Sequence, residues 1–164
     1  RAYEDTLLEL SDLLTAAGFA CCAGVAAVAE HSIFRQFAAG RPDADDCAVL
    51  LRFGKEIQQK LQNGDTNPLD FPGNRPYKPL KDNPMKPQGT DTCISCGTCA
   101  RECPAGAIPK ETPKMTDPKR CISCMRCIAV CPVGARKNDD ALYSATLERL
   151  TPLCAGRKEN ELFL

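Results

Sequence analysis

The chain has 164 residues, enough for one ordinary domain or two small ones, and its 21 basic side chains balance 21 acidic ones. That balance excludes a dedicated nucleic-acid or polyanion binder, which would be clearly basic. With 5% aromatics, no Trp, 13 Pro and 12 Cys, a large aromatic core is excluded as well, so part of the chain must be held by something other than hydrophobic burial.

Residues 1–62 open at Arg1, without Met and in mid-element, which raises the expectation that the chain is a fragment. Leu7, Leu10, Leu14 and Ala17 recur every three to four positions and predict an amphipathic helix ended by Gly18. The run "FACCAGVAAVA" at 19–29 is too short to span a membrane, and Glu4, Asp5, Glu9 and Asp12 upstream carry the wrong sign for a signal peptide. It reads as a strand covered on both faces, left without a partner strand. Pro42 and Asp43 open a second helix, with Asp43, Asp45 and Asp46 at its positive end, a stripe of Cys47, Leu50, Gly54, Ile57 and Leu61, and Gly64 as its stop. Helix, strand and helix make part of a doubly wound domain.

Residues 63–92 form a connector. Pro68, Pro72, Pro76, Pro79, Pro84 and Pro87 argue against regular structure, and Arg75, Lys78, Lys81 and Lys86 make it basic. It is either a solvated arm or an ordered strap.

Residues 93–137 contain a repeat. "CISCGTCARECP" at 93–104 returns as "CISCMRCIAVCP" at 121–132, and aligning 93–107 with 121–135 gives nine identities in fifteen at an offset of 28. Two copies of one unit imply approximate two-fold symmetry within a small domain. Residues 138–164 hold a helix from Asp139 to Leu150 and the closing stretch "ENELFL".

Each copy is C-x2-C-x2-C-x3-C-P. The first three thiolates come from one short loop and converge, while the fourth begins a helical turn and points elsewhere. In this bacterial-type pattern the fourth Cys of each run ligates the other run's cluster. Cys93, Cys96, Cys99 and Cys131 are therefore expected to hold one 4Fe–4S cluster, and Cys121, Cys124, Cys127 and Cys103 a second. Gly97 sits between two ligands where backbone N–H groups approach sulfur, Met125 replaces it in the second copy, and Gly106 and Gly134 serve the turns after each Cys-Pro. A zinc ribbon closes one site from two C-x2-C pairs and would leave half of these cysteines unused. A disulfide framework suits an exported chain, and the one candidate export signal, residues 19–29, reads as a strand. Cys21, Cys22, Cys47 and Cys154 read as small buried hydrophobes.

Residues 93–131 carry six basic against three acidic side chains. Two oxidised clusters with their thiolates add about −4, which leaves the loaded domain near neutral. That fits a domain docked on a fixed redox partner protein better than a free carrier steered by a large negative field.

The order of an α/β half, "PGNRPYK", two cysteine runs and a short helix, together with "AEHSIF" at 29–34 and "GRPDADD" at 40–46, resembles the C-terminal two-thirds of EFR1-type ferredoxin–flavodoxin fusions of anaerobic bacteria and archaea. The resemblance implies α/β plus α+β architecture: 1–62 as the end of a flavodoxin-like doubly wound domain, followed by a dicluster ferredoxin domain. It implies that an N-terminal flavodoxin segment is missing, with the loop that cradles the FMN phosphate, so that FMN belongs only to the complete protein. It implies that Arg1, Ala2 and Tyr3 border the flavin ring, and that His31 and Ser32, after the last strand, approach the same end of the sheet. His31 also reads as a hydrogen-bonded surface or helix-capping residue.

Three functions stay open. The first is electron transfer through two 4Fe–4S clusters to or from FMN, the second a flavin-dependent reductase of a small molecule, and the third a non-enzymatic redox sensor. No Ser/His/Asp, Cys/His or paired-carboxylate arrangement supports hydrolysis, so no catalytic residue is assigned and enzymatic activity stays undecided. The expected setting is the cytoplasm, with reduced thiols, no nucleic acid and no membrane insertion.

Overall fold

The computed structural model describes residues 3–164 and divides into two compact units. One holds the chain up to His31, Arg35–Leu80 and Gly156–Leu164; the other holds Ser32–Phe34 and Lys81–Ala155. Among the described residues no helix is long and apolar enough to cross a membrane.

The first unit contains α1 (Thr6–Ala16), β1 (Gly24–Ala26), α2 (Ala44–Gln62) and, near the far end of the chain, β4 (Glu161–Phe163). The helices lie where the sequence places them. Asp43 caps α2 through a reciprocal box with Asp46: Asp46 N–H donates to Asp43 Oδ1 at 2.9 Å, and Asp43 N–H to Asp46 Oδ2 at 3.0 Å.

Their buried faces differ from the expected stripes. On α1 the buried side chains are Leu8 and Ser11, with the preceding Asp5, while Leu10, Leu13 and Leu14 are exposed. The cause is the 63–92 stretch, whose first part is ordered along this face. Asp5 accepts from the backbone N–H groups of Asn74 and Lys78, each at 2.7 Å, and Asp12 pairs with Arg75 at 2.7 Å and Tyr77. These donors hold both carboxyls below the usual range: for Asp5 the Lys78 and Asn74 N–H groups, for Asp12 the Arg75 guanidinium and Tyr77 hydroxyl. On α2 the buried residues are Asp46 and Phe53, while Cys47 and Leu61 are exposed. Asp46 turns this face inward because Arg41 donates to it through Nε at 2.7 Å and through Nη2, and Arg157 and Asn160 each reach it at 3.0 Å.

The strand expectation is corrected in the same way. Only Gly24–Ala26 of the 19–29 run is strand, and it has a partner. β1 pairs antiparallel with β4 in the register Gly24–Phe163, Val25–Leu162, Ala26–Glu161. Neither face is fully covered, and Cys21 and Cys22 are half-buried. A two-stranded antiparallel ribbon is not a doubly wound parallel sheet, so these residues display no flavodoxin-like fold.

The second unit contains β2 (Gln88–Gly89), α3 (Thr98–Arg101), α4 (Arg126–Ala129), β3 (Arg136–Lys137) and α5 (Asp140–Leu150), the last capped by Asp139 through Leu142 N–H at 2.8 Å. β2 lies in the connector and pairs antiparallel with β3, so that stretch has regular structure at one point despite its prolines. Met85 and Pro87 beside it are buried, and Phe34 packs on Tyr143 with ring centroids 4.8 Å apart.

The close approach of the 63–92 stretch to α1 depends on Gly73, where a Cβ would stand 2.8 Å from Leu8 Cβ and 3.3 Å from Asp5 Cα. Gly73→Ala is expected to destabilise the first unit by about 1–3 kcal/mol, the usual range for overpacking. Urea denaturation followed by far-UV circular dichroism checks this, and an unchanged midpoint would contradict the packing described.

Candidate metal centre

The sequence repeat is also a backbone repeat. α3 and α4 begin 28 positions apart, and their N-caps, Gly97 and Met125, both lie in the left-handed region, at φ 70° and 61°. Ser95 and Ser123 (φ 54° and 56°) and Gly106 and Gly134 (φ 56° and 61°) repeat the pattern. Left-handed backbone costs a non-glycine residue about 1–2 kcal/mol, and Met125, Ser95 and Ser123 adopt it all the same. The loop conformation is therefore imposed by what the loops must present.

What they present is sulfur. Cys103 lines one cavity together with Cys121, Cys124 and Cys127. The fourth cysteine of the first run thus faces the first three of the second. In the other direction, Cys131 lies near enough to Cys96 for their charges to interact, as Cys99 does to Cys93. The two Cys-Pro corners are equivalent: Ala107 N–H donates to Cys103 Sγ and Ala135 N–H to Cys131 Sγ, both at 3.2 Å. Among the described residues no three His, Cys, Asp or Glu side chains converge closely enough to hold a single metal ion. Four thiols around one cavity suit a polynuclear group.

The thiols are tuned differently. Burial pushes Cys99 and Cys127 up. Burial also pushes Cys131 up, but the N–H groups of Val133, Ala135 and Arg136 outweigh it and leave that thiol below its ordinary value. The Thr98 hydroxyl, 3.5 Å from Cys96 Sγ, lowers Cys96. Two buried polar groups nearby have no partner among the described residues, Ser123 Oγ and Arg136 Nε. Buried donors are rarely left unmatched, and thiolate and sulfide acceptors would suit both. The residues present therefore fit two iron–sulfur clusters.

One buried apolar cluster of this unit is built around two of the same cysteines. Cys99, Ile108 and Cys127 form it, with Ala100, Cys103 and Ile128 packed against it. Ile94, Met115, Ile122 and Val133 are exposed.

The residues expected at a flavin lie elsewhere. Arg1 and Ala2 are outside the described residues. The Tyr3 hydroxyl donates to Glu161, and its ring meets Phe163 edge-on at 6.5 Å. The His31 backbone N–H donates to Phe37 O at 3.1 Å, its ring packs edge-on against the Phe37 ring, and burial lowers its imidazole below the ordinary value. Ser32 opens the short 32–34 segment of the second unit. Neither the sulfur-lined cavity nor the groove along α2 and β4 is lined by Tyr3, His31 or Ser32. Sequence reasoning passed over Arg136, the buried cation of β3. The available signal was its place in the repeat, 28 positions after Ile108, where one copy has an apolar residue and the other a charge.

Residues 92–135 match the family model described as a 4Fe-4S dicluster domain. This stretch is an iron–sulfur domain of ferredoxin type, and its general role is electron transfer. No curated protein and no solved structure is significantly similar to the chain.

The cross-sharing of the fourth cysteines that the motif predicts has a distinct consequence. Cys103→Ala is expected to disrupt the centre built on Cys121, Cys124 and Cys127, and Cys131→Ala the one built on Cys93, Cys96 and Cys99. Electron paramagnetic resonance of the reduced variants, with each centre identified through a further variant in its own loop, checks the assignment. Loss of the centre adjacent in sequence would show that each run closes on itself.

Proposed function

We propose that this chain relays single electrons through two 4Fe–4S clusters, one held by Cys93, Cys96, Cys99 and Cys131 and the other by Cys121, Cys124, Cys127 and Cys103. The observation that carries the reading is the shared cavity of Cys103 with Cys121, Cys124 and Cys127, which joins residues from both copies as the motif requires. When bound, such a cluster takes up and releases one electron at a potential set by hydrogen bonds to sulfur, charge and exposure. The protein's part is to hold and tune. The Ala107 and Ala135 N–H groups donate to Cys103 and Cys131 Sγ, and the Thr98 hydroxyl favours the charged form of Cys96. Burial of Cys99 and Cys127 keeps water from two ligands and makes their thiolates dependent on iron.

The electron's other stop is a redox partner protein. The resemblance to ferredoxin–flavodoxin fusions suggests FMN in a longer form of the protein, and this part of the proposal rests on that resemblance alone. Reduction of a small molecule by such a flavin, or redox sensing without turnover, would use the same clusters; neither has an observation of its own in its favour.

Anaerobic reconstitution is expected to give about eight iron and eight sulfide per chain, with broad visible absorption that bleaches on reduction. Stoichiometric zinc and a colourless protein would sink the proposal. FMN added to the same preparation is expected to bind weakly or not at all, because a flavin held along one edge gains too little contact to offset its lost freedom. Fluorescence quenching measures it, and micromolar one-to-one binding would show that residues 1–164 carry a flavin site of their own.

A further inference from the structure

Arg136 is 2% exposed and sits on β3, one residue beyond the second cysteine run's closing turn. Its Nη1 donates to Pro113 O at 2.9 Å and Lys114 O at 3.1 Å, and its Nη2 to Pro87 O at 2.7 Å and to the Thr116 hydroxyl. None of these acceptors is a carboxylate, and Nε has no partner among the described residues. A guanidinium keeps its charge when buried, and a buried charge without an opposite one is strongly unfavourable. Neutral oxygens satisfy the N–H groups without supplying that opposite charge.

The groups able to supply it are the thiolates. Arg136 Nη1 and Cys99 Sγ, in the first ligand set, meet the same Pro113 oxygen at 2.9 and 3.7 Å, and the charge of Arg136 reaches both Cys99 and Cys127, in the second. The matching position in the first copy is Ile108, packed between the same two cysteines. The pseudo-symmetric core therefore has an apolar residue on one side and a cation on the other, and the cation is within electrostatic reach of both sites.

We propose that Arg136 is the internal counter-charge shared by the two cluster sites, and that it makes both easier to reduce. Reduction adds one negative charge to a centre, and a fixed cation in a low-dielectric interior favours the more negative state. This inference rests on the cysteine assignment above, and iron and sulfide content of the unaltered protein tests that assignment separately.

The test is the midpoint potential of each centre in the reconstituted full chain, from redox titration followed by electron paramagnetic resonance. Arg136→Gln is expected to lower the reduction equilibrium constant of both centres at least tenfold, which is 59 mV for a one-electron couple. Arg136→Lys, which keeps the charge and loses the fork, is expected to recover most of that. Thr116→Asp leaves the guanidinium in place and sets a carboxylate against Nη2, so it is expected to lower both potentials too. Reduction equilibrium constants in a fully loaded Arg136→Gln protein within twofold of those of the unaltered one would overturn the proposal. An Arg136→Lys shift as large as that of Arg136→Gln would do the same, since it would assign the role to hydrogen-bonded bracing. If Arg136→Gln does not assemble its centres, Thr116→Asp decides by the same criterion. If neither assembles, loading of Arg136→Lys alone supports the counter-charge, and failure of all three variants overturns it.

Discussion

A short loop can bring three thiols to one place, and the fourth ligand of a four-thiol site has to come from somewhere else. In the ligand sets proposed for residues 92–135 it comes from the other copy of the same loop. Writing the loop twice lets each copy supply what its twin lacks, and this exchange ties two weak local structures into one. The 28-residue offset recurs in the left-handed residues, in the two short helices and in the N–H bonds from Ala107 and Ala135 to sulfur. The backbone repeats because the ligand geometry repeats.

The interior that results contains little hydrocarbon. Ile108 and Met125 are buried, while Ile94, Met115, Ile122 and Val133 face outward. At roughly 1.5–3 kcal/mol for each buried apolar side chain, so few cannot offset the entropy of ordering this stretch. Sulfur and its iron have to provide the missing cohesion, as structural metals do in other small domains. The same scarcity explains why a cation such as Arg136 is tolerated at a position that holds Ile108 in the other copy: where the surroundings are anionic thiolates, a buried charge has a counterpart.

The cysteine framework was legible in the sequence because ligand chemistry fixes spacing, and spacing survives in one dimension. Helix starts at Asp43 and Asp139 were legible for a similar reason, since a cap acts within four residues. The buried faces of α1 and α2 were not. Periodicity counts leucines, whereas these helices turn inward the carboxylates of Asp5 and Asp46, whose partners Asn74, Lys78, Arg157 and Asn160 are remote in sequence. The strand partner of β1 was hidden for the same reason: Glu161–Phe163 is three residues long and acquires its meaning only by meeting Gly24–Ala26. The order of the 63–92 stretch depends on Asp5 and Asp12, so prolines alone could not decide between arm and strap. Tyr3 and His31 show the converse. Tyr3 packs on Phe163 and His31 on Phe37, contacts that a family resemblance does not reveal.

The central claim is that iron and sulfur are the core of residues 92–135. Amide hydrogen exchange of the full chain, compared between reconstituted and metal-free protein, tests it most directly. The account predicts that the protected amides of this stretch, Ala107 and Ala135 among them, lose their protection when the metal is removed. Protection retained in the metal-free protein would show that the polypeptide holds this fold by itself, and would contradict the account.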